Sequence, residues 1–316
     1  MKDIDVLVVW PIRPDQMAVL EQTYRVHRYD LASDVEKAHM IDSVGEQIRA
    51  VVTTHGGGFE KSLLDRLPNL EIVGCASVGF DTLCVSDCQA RGIPVTHTPD
   101  VLTDDVADMA MMLLLATLRR MLPAVDWIKQ GHWAAQGMMP LNTSLKGKTL
   151  GIVGLGRIGQ AIASRAEAFG MNISYYSRAK KTGVSYKHYD DLMTLAKDVD
   201  VLAPVIPGGS ATQGLISREV LTALGPDSYF INVSRGSVVD ETALVELLQQ
   251  GAIKGAGLDV FVDEPNVPDA LLSMDNVVLQ PHCASGTFET RAAMAQLVLD
   301  NLAAHFDNKP LLTPIQ

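Results

Sequence analysis

The stretch that decides the fold reads Leu150-Gly151-Ile152-Val153-Gly154-Leu155-Gly156-Arg157-Ile158-Gly159. An apolar strand candidate runs directly into a glycine turn, and an amphipathic helix candidate follows at residues 160–169. Gly154 permits the tight turn, Gly156 lets backbone amides approach a pyrophosphate, and Gly159 allows close packing of the helix on the strand. The helix N-terminus adds N–H groups and a positive dipole for phosphates. This context predicts a dinucleotide site at the turn.

The residues after the next strand candidate indicate which dinucleotide is bound. An NAD site places Asp or Glu there to bond the ribose 2′-hydroxyl. This chain has Ser177-Arg178-Ala179-Lys180-Lys181 instead. A guanidinium binds a 2′-phosphate in fork geometry, and a hydroxyl donates to it. We therefore predict NADPH/NADP+, read by Ser177 and Arg178 with help from Lys180 or Lys181. NADH is the weaker alternative, and a solvated basic loop is the competing interpretation of these residues.

Short apolar runs alternate with helical stretches along most of the chain. The strand candidates are residues 6–9, 50–53, 72–75, 94–96, 149–153, 173–176, 199–203, 229–233, 256–260 and 277–279. Apolar strands separated by helices are typical of parallel sheets covered on both faces. A helix over residues 103–121, with Thr103 as N-cap, is apolar on nearly every face and should be sandwiched between layers or domains. A last helix, residues 287–306, is expected to return to the first domain.

Composition excludes several classes of protein. The chain has 316 residues, enough for two domains, and a net charge of −11, which disfavours a nucleic-acid or anionic-membrane surface. Its most apolar stretch, residues 109–118, is too short to span a bilayer, and acids near the N-terminus disfavour a signal peptide. The four cysteines form no CxxC pair, and no zinc spacing is visible, so that we expect no metal site. A reduced cytoplasmic protein fits these features.

Three polar residues stand just beyond the ends of late strand candidates: Arg235, Glu264 and His282. Ligands of doubly wound sheets bind outside the carboxyl ends of the strands, so these residues should converge on the cofactor. Reduction of a 2-keto acid requires a proton donor for the developing alkoxide, which suits a histidine. A neighbouring carboxylate would orient the imidazole, and an arginine would bind the substrate carboxylate and polarise the carbonyl. A structural histidine at a strand end is the competing interpretation of His282 alone.

Several motifs in order resemble one family. They are Leu145-Lys146-Gly147-Lys148-Thr149 leading into the glycine turn, Asn232-Val233-Ser234-Arg235-Gly236, Gly257-Leu258-Asp259-Val260-Phe261 with Glu264-Pro265, and Pro281-His282-Cys283-Ala284-Ser285. The chain resembles the D-isomer-specific 2-hydroxyacid dehydrogenases and, within them, the NADPH-dependent glyoxylate/hydroxypyruvate reductases. The likeness is strong from about residue 74 to 291 and looser before that. Two departures are Ser177-Arg178 in place of an Asp, and a glycine-rich segment at residues 206–212.

The resemblance implies an α/β fold of two Rossmann-like or flavodoxin-like doubly wound parallel-sheet domains. A substrate domain, residues 1–99 plus 286–316, would receive the cofactor domain, residues 100–285, as an insertion. Arg235, Glu264 and His282 would be catalytic, and Arg235 and His282 would also bind substrate. Backbone N–H groups of Val78 and Gly79 would bind the substrate carboxylate. Further implied cofactor contacts are Leu155, Arg157, Ile158, Ile206, Pro207, Thr212, Val233, Ser234, Arg235, Asp259, His282 and Ser285.

The resemblance predicts reduction of glyoxylate or hydroxypyruvate to the D-2-hydroxy acid. A 2-ketogluconate or arylpyruvate reductase with the same chemistry is the alternative, and an NAD(P)-sensing binding protein without turnover is the alternative of a different class. The chain would pair as a homodimer, with residues 127–140 near the interface. Residues 55–58, His-Gly-Gly-Gly, lie where a second substrate loop is expected, although a flexible turn explains them equally well.

Overall fold

The computed structural model describes residues 2–316, which divide into two compact units. Unit 1 comprises the residues up to Leu102 together with Ser285–Gln316, and unit 2 is Thr103–Ala284. The sequence had placed these divisions after residues 99 and 285. No helix among the described residues is long and apolar enough to cross a membrane.

Each unit is built on one parallel sheet. The strands of unit 1 are β1 Asp5–Val8, β2 Arg25–Arg28, β3 Ile48–Thr53, β4 Ile72–Cys75 and β5 Val95–Thr96. Those of unit 2 are β6 Thr149–Val153, β7 Asn172–Tyr176, β8 Lys187–Tyr189, β9 Val201–Pro204, β10 Tyr229–Asn232, β11 Gly255–Leu258 and β12 Val277–Leu279. The sheet orders are β2-β1-β3-β4-β5 and β12-β11-β10-β9-β6-β7-β8. Both orders are doubly wound, which confirms the predicted fold class.

Helices cover the sheets. They are α1 Pro14–Thr23, α2 Asp34–Val44, α3 Lys61–Leu64, α4 Val85–Ala90, α5 Thr103–Leu118, α6 Met121–Lys129, α7 His132–Gln136, α8 Arg157–Ala168, α9 Leu192–Asp198, α10 Arg218–Leu224, α11 Glu241–Gln249, α12 Asp269–Leu272 and α13 Phe288–Phe306. Helix α13 packs on β4, where a Cβ at Gly74 would lie 3.0 Å from Cγ1 of Val298. The last helix thus belongs to the unit formed by the first hundred residues.

The sheet of unit 1 is buried on both faces, because successive strand residues point to opposite sides. Val6 and Val8 face a core that includes Val298 of α13, whereas Leu7 faces a second core with Leu64 of α3. These three residues of β1 are all fully buried. Burial on both faces explains why these strands read as continuous apolar runs rather than alternating ones.

Two strands lacked a signal in the sequence. Strand β2, Arg-Val-His-Arg, and strand β8, Lys-His-Tyr, are polar, and both lie at an edge of their sheet. Charged residues are common on edge strands, where they oppose pairing with other chains. The ten strand candidates all correspond to observed strands, with ends that agree to within two residues.

The long helix predicted for residues 103–121 is shorter than expected. Helix α5 begins at Thr103, so that this residue is helical rather than the N-cap, and it ends at Leu118. Arg120 then adopts a left-handed conformation with φ 48°, which separates α5 from α6. Apolar periodicity continued through the break and therefore concealed it. Helix α5 is buried against the sheet of unit 2. A Cβ on Gly257 of β11 would lie 2.9 Å from Cβ of Leu113, so that the glycine leaves room for the helix.

Candidate active site

The glycine turn after β6 has the conformation that the motif predicts. Gly154 has φ 99°, a region that side chains with a Cβ rarely adopt, and a Cβ there would lie 2.5 Å from Cγ2 of Ile206. Its N–H donates to the carbonyl of Tyr176 at 2.9 Å, which ties the ends of β6 and β7 together. The neighbours of β6 are β9 and β7, so the turn lies where the strand order of the sheet reverses. This is the position at which doubly wound sheets bind ligands.

The N-terminus of α8 fits a pyrophosphate. The helix begins at Arg157, directly after Gly156, three residues earlier than predicted. A Cβ on Gly156 would meet no atom within 4 Å, so that this position opens to a space a phosphate could enter. A Cβ on Gly159 would overlap the carbonyl oxygen of Gly154, which is the close helix–strand packing expected there. The first turn of α8 also contains Ile158.

The basic loop, residues 177–181, follows β7. Arg178, Lys180 and Lys181 are exposed, and within residues 2–316 none of the three forms an ion pair. The hydroxyl of Ser177 donates to the carbonyl of Ala179 at 2.6 Å, and the N–H of Lys181 donates to the phenolic oxygen of Tyr175 at 2.9 Å. The backbone of the loop is therefore held, while its cationic side chains extend into solvent.

The segment after β9 packs on the glycine turn through Ile206, as the Gly154 contact shows. Thr212 closes this segment, because its hydroxyl donates to the carbonyl of Pro207 at 2.7 Å. Of the other predicted cofactor residues, Val233 and Ser234 follow β10 and are buried, and Asp259 follows β11. Leu155, in the glycine turn, is 1% exposed. Ser285 is the first residue of the second part of unit 1.

A buried asparagine shapes the turn that carries Arg235. Asn232, the last residue of β10, is fully buried, and its Oδ1 accepts from the N–H and the hydroxyl of Ser234 at 3.0 and 2.8 Å. Its Nδ2 donates to the carbonyl of Arg235 at 3.0 Å. Arg235 in turn donates from Nη1 to the carbonyl of Ser234 at 2.7 Å. The backbone of Arg235 is thus fixed by the side chain of Asn232, a residue of the motif for which the sequence predicted no role.

Gly236 brings the Arg235 turn against the segment that carries Glu264. A Cβ at Gly236 would overlap the backbone of Phe261, so that only glycine permits this approach. Glu241, in the first turn of α11, accepts from the N–H of Val262 at 3.0 Å. Burial raises the pKa of the Glu241 carboxyl above its ordinary value. The two contacts anchor the start of the loop from Phe261 to Glu264.

Glu264 and His282 form the hydrogen bond that the sequence predicted only as proximity. Nδ1 of His282 lies 2.6 Å from Oε2 of Glu264, and Oε1 of the same carboxylate accepts from the N–H of Phe261 at 3.0 Å. Because a carboxylate only accepts, Nδ1 carries the proton, and Nε2 is directed away from the pair. The side chains are 36% and 32% exposed, so that a ligand can reach them.

Asp259 holds the backbone of His282 and of the two residues that follow. The N–H of His282 donates to the carbonyl of Asp259 at 2.8 Å, and the Asp259 carboxylate accepts from Cys283 and Ala284 at 2.9 and 3.0 Å. His282 has φ 49°, a left-handed conformation that such surrounding bonds can maintain. Burial raises the pKa of the fully buried Asp259 carboxyl, and the two N–H groups oppose this shift.

The predicted carboxylate-binding residues lie in unit 1, in the loop after β4. The carbonyl of Val78 accepts from Nδ1 of His97 at 3.1 Å, and that of Ser77 accepts from the N–H of Thr98 at 2.9 Å. The bonds to the segment after β5 therefore use the carbonyl groups of Ser77 and Val78 and not their N–H groups. The roles predicted for Val78 and Gly79 stay predictions.

Residues 127–140 contain α7 and parts of the flanking segments, and Nε1 of Trp127 donates to the carbonyl of Gly137 at 3.0 Å. Trp133 and Met138 are 62% and 79% exposed. The homodimer that was predicted to use this segment stays a prediction. Within residues 2–316 no cluster of three His, Cys, Asp or Glu side chains could hold a metal ion.

Comparison with known proteins gives a family match. A family model described as D-isomer specific 2-hydroxyacid dehydrogenase, NAD binding domain, matches residues 111–284. Hydroxyphenylpyruvate reductase of Plectranthus scutellarioides is 46% identical, and glyoxylate/hydroxypyruvate reductase A of Arabidopsis thaliana is 45% identical, each over 100% of both chains. A 2-ketogluconate reductase of Gluconobacter oxydans is 41% identical over 98% of both.

A solved structure has the same architecture. It is an NADPH-dependent glyoxylate/hydroxypyruvate reductase from Sinorhizobium meliloti in complex with NADP and malonate, with a TM-score of 0.89 and 43% identity. The match covers 99% of this chain and 97% of that one.

Proposed function

Since the chain belongs to the D-isomer-specific 2-hydroxyacid dehydrogenase family, we propose that it is an NADPH-dependent reductase of small 2-keto acids. Its substrates on this proposal are glyoxylate and hydroxypyruvate, and its products are D-2-hydroxy acids. The observation that carries the proposal is the 2.6 Å bond between His282 and Glu264 in the unit that also contains the glycine turn. This pair presents a proton donor, and the turn fits a dinucleotide.

His282 is the proposed proton donor. NADPH, when bound, supplies the hydride that reduces the keto carbon to an alkoxide. The alkoxide requires a proton, and Nε2 of His282 can give one while Nδ1 stays bonded to Glu264. Glu264 stabilises the charged imidazolium before transfer and fixes the plane of the ring.

Arg235 is the proposed binding and polarising residue. Its guanidinium offers several donors in a plane, which suits a carboxylate and an adjacent carbonyl oxygen. We also assign the N–H groups of Val78 and Gly79 to the substrate carboxylate. Charge stabilisation of this kind is usually the largest contribution to the rate, because donors fixed before the reaction need no reorganisation.

The preference for NADPH rests on the basic loop. Arg178, Lys180 and Lys181 are exposed and form no ion pairs within the described chain, so that their charge is available to a 2′-phosphate. Ser177 directs its hydroxyl to Ala179, so that binding a phosphate would require this hydroxyl to turn. Arg178 is therefore the main reader on this proposal, and NADH remains the weaker cofactor.

A second candidate is an arylpyruvate or 2-ketogluconate reductase. The relatives named hydroxyphenylpyruvate reductase and 2-ketogluconate reductase, at 46% and 41% identity, favour it as much as the glyoxylate/hydroxypyruvate reductase favours the first. The chemistry at His282 is the same in both. A cytoplasmic location and a homodimer complete the proposal.

Initial rates test the proposal. NADPH or NADH is supplied with glyoxylate, hydroxypyruvate, 2-ketogluconate or 4-hydroxyphenylpyruvate, and the loss of reduced-cofactor absorbance is followed. We expect turnover with NADPH and a higher kcat/KM for glyoxylate or hydroxypyruvate. Dominant turnover of 4-hydroxyphenylpyruvate or 2-ketogluconate would transfer the function to the second candidate. Absence of turnover with every pair, despite NADPH binding, would favour the NAD(P)-sensing protein.

A further inference from the structure

Unit 1 contains an imidazole–carboxylate pair of its own, at the carboxyl ends of neighbouring strands. Nε2 of His55, two residues after β3, lies 3.1 Å from Oδ2 of Asp81, in the loop after β4. The side chains are 21% and 20% exposed. The pair is therefore partly shielded from solvent.

His55 makes two further bonds to the same loop, both through its backbone. Its N–H donates to the hydroxyl of Ser77 at 3.0 Å, and its carbonyl accepts from the hydroxyl of Thr82 at 2.7 Å. One residue thus holds the loop at Ser77, Asp81 and Thr82. These three positions lie on both sides of Val78 and Gly79.

The turn that carries His55 is itself fixed. The N–H of Gly58 donates to the carbonyl of Thr54 at 3.0 Å, and the hydroxyl of Thr53 donates to the carbonyl of Gly58 at 2.7 Å. A Cβ at Gly57 would overlap Cβ of Trp10, so that the glycine permits close packing here. The glycine run therefore forms a packed turn that can support a neighbouring loop.

We propose that His55, through its bond to Asp81, is a positioning residue that holds the loop of residues 77–82 so that the N–H groups of Val78 and Gly79 can bind the substrate carboxylate. This inference rests on the proposed function. A loop that is not held would lose part of its affinity for the carboxylate, because donors that must be ordered on binding contribute less. The loss would apply equally to the ground state and the transition state, so it would raise KM and leave kcat unchanged.

A matched control exists in the same unit. His27 on β2 also bonds an aspartate through Nε2, at 2.7 Å from Oδ1 of Asp5, and its side chain is 17% exposed. Asp5 is the first residue of β1, so this pair anchors to the amino end of that strand. A residue that acts only on folding should resemble His27 in its effects.

The test compares His55→Leu, His55→Gln and His27→Leu in the full-length enzyme, with the keto acid that the wild type reduces best. For His55→Leu we expect KM for the keto acid to rise about tenfold, below the roughly 100-fold cost of misplacing a catalytic group by 1 Å. kcat and KM for NADPH should stay within about twofold of wild type. His55→Gln, whose amide reaches the position of Nε2, should recover part of the loss, and His27→Leu should leave KM unchanged.

Oxamate binding provides a readout that does not need turnover. Its dissociation constant, measured by calorimetry in the presence of NADP+, should rise in His55→Leu by the same factor as KM. If His55→Leu does not fold, Asp81→Ala serves instead, because it removes the same side-chain bond without changing His55, and the same rise in KM and in the oxamate dissociation constant is expected. An unchanged KM and an unchanged oxamate affinity, or a loss confined to kcat, would overturn the inference while wild-type turnover keeps the proposed function. A wild type without turnover on any keto acid would overturn the proposed function instead, and the inference with it.

Discussion

The proposed catalytic corner, formed by Arg235, Glu264 and His282, and the basic loop, residues 177–181, lie in the same unit but are built differently. Two residues of the corner are held by buried polar side chains: Asn232 fixes the Arg235 turn, and Asp259 fixes the segment of His282. The basic loop has a bonded backbone but exposed cationic side chains. The corner is therefore organised before any ligand arrives, whereas the cationic side chains of the loop extend into solvent from a backbone that is already held.

This difference separates rate from selectivity. A group that transfers a proton must already be in place, because misplacement reduces the rate steeply. A cation that distinguishes two cofactors needs only a difference in affinity, and an exposed side chain can supply it. Substitutions in the corner should therefore change kcat strongly, and substitutions in the loop should change KM for one cofactor moderately.

The largest effect is expected for His282→Ala. Loss of the proton donor should lower kcat about 1,000-fold, within the range for general acid catalysis. The dissociation constant for NADPH, measured by fluorescence titration, should remain close to wild type because the glycine turn is unchanged. Unchanged turnover would remove His282 from the mechanism.

Glu264→Gln should lower kcat about 100-fold, because an amide can accept from Nδ1 of His282 but carries no charge to stabilise the imidazolium. Glu246→Gln is the matched control, since Glu246 is a surface acid that pairs with Arg218. Steady-state rates of the two variants decide the point. Equal activity in both would mean that the charge of Glu264 does not matter.

Asp259→Asn should lower kcat about 30-fold, as loss of a supporting hydrogen bond does when the supported residue is catalytic. The NH2 group of the asparagine would face the backbone N–H of Cys283 or Ala284, so that one of the two hydrogen bonds would be lost. Rates at saturating NADPH and keto acid measure the effect. A variant with the kcat of wild type would show that the backbone after His282 keeps its position without the Asp259 carboxylate.

The stability of the same variant has a pH dependence of known sign. Burial raises the pKa of Asp259, so the folded state favours the protonated carboxyl. The unfolding free energy of wild type relative to Asp259→Asn should therefore fall as pH rises from the ordinary aspartate pKa through the raised one. Urea unfolding at several pH values measures this difference, and an increase over that interval would contradict the assignment.

The smallest effect is expected for Arg178→Ala, in the basic loop. KM for NADPH should rise about tenfold, the lower end for a lost hydrogen bond to a charged group, because the side chain is exposed. KM for NADH serves as the internal control and should change little. Equal increases for both cofactors would show that Arg178 does not read the 2′-phosphate.

The sequence predicted the parts of the fold that depend on local patterns. All ten strand candidates are strands, and the glycine turn has the predicted conformation, because burial on both faces and positive φ impose local constraints on residue type. The edge strands β2 and β8 were missed because their polar residues resemble a loop. The break at Arg120 was missed although Pro123, three residues later, is a signal that one helix ends and another begins nearby.

By itself, the sequence determined the fold class, the family, and the residue types of the proposed catalytic corner, because these follow from patterns and motifs along the chain. Only the tertiary structure decided how the corner is held. The Asn232 side chain bonds the backbone of Arg235, Gly236 packs against the backbone of Phe261, and the Asp259 carboxylate bonds the backbone just after His282. The same is true of the bonds from His55 to the loop after β4. Except for the local bond from Asn232 to Arg235, these contacts join segments that are distant in sequence, and their distances depend on the whole path of the chain between them.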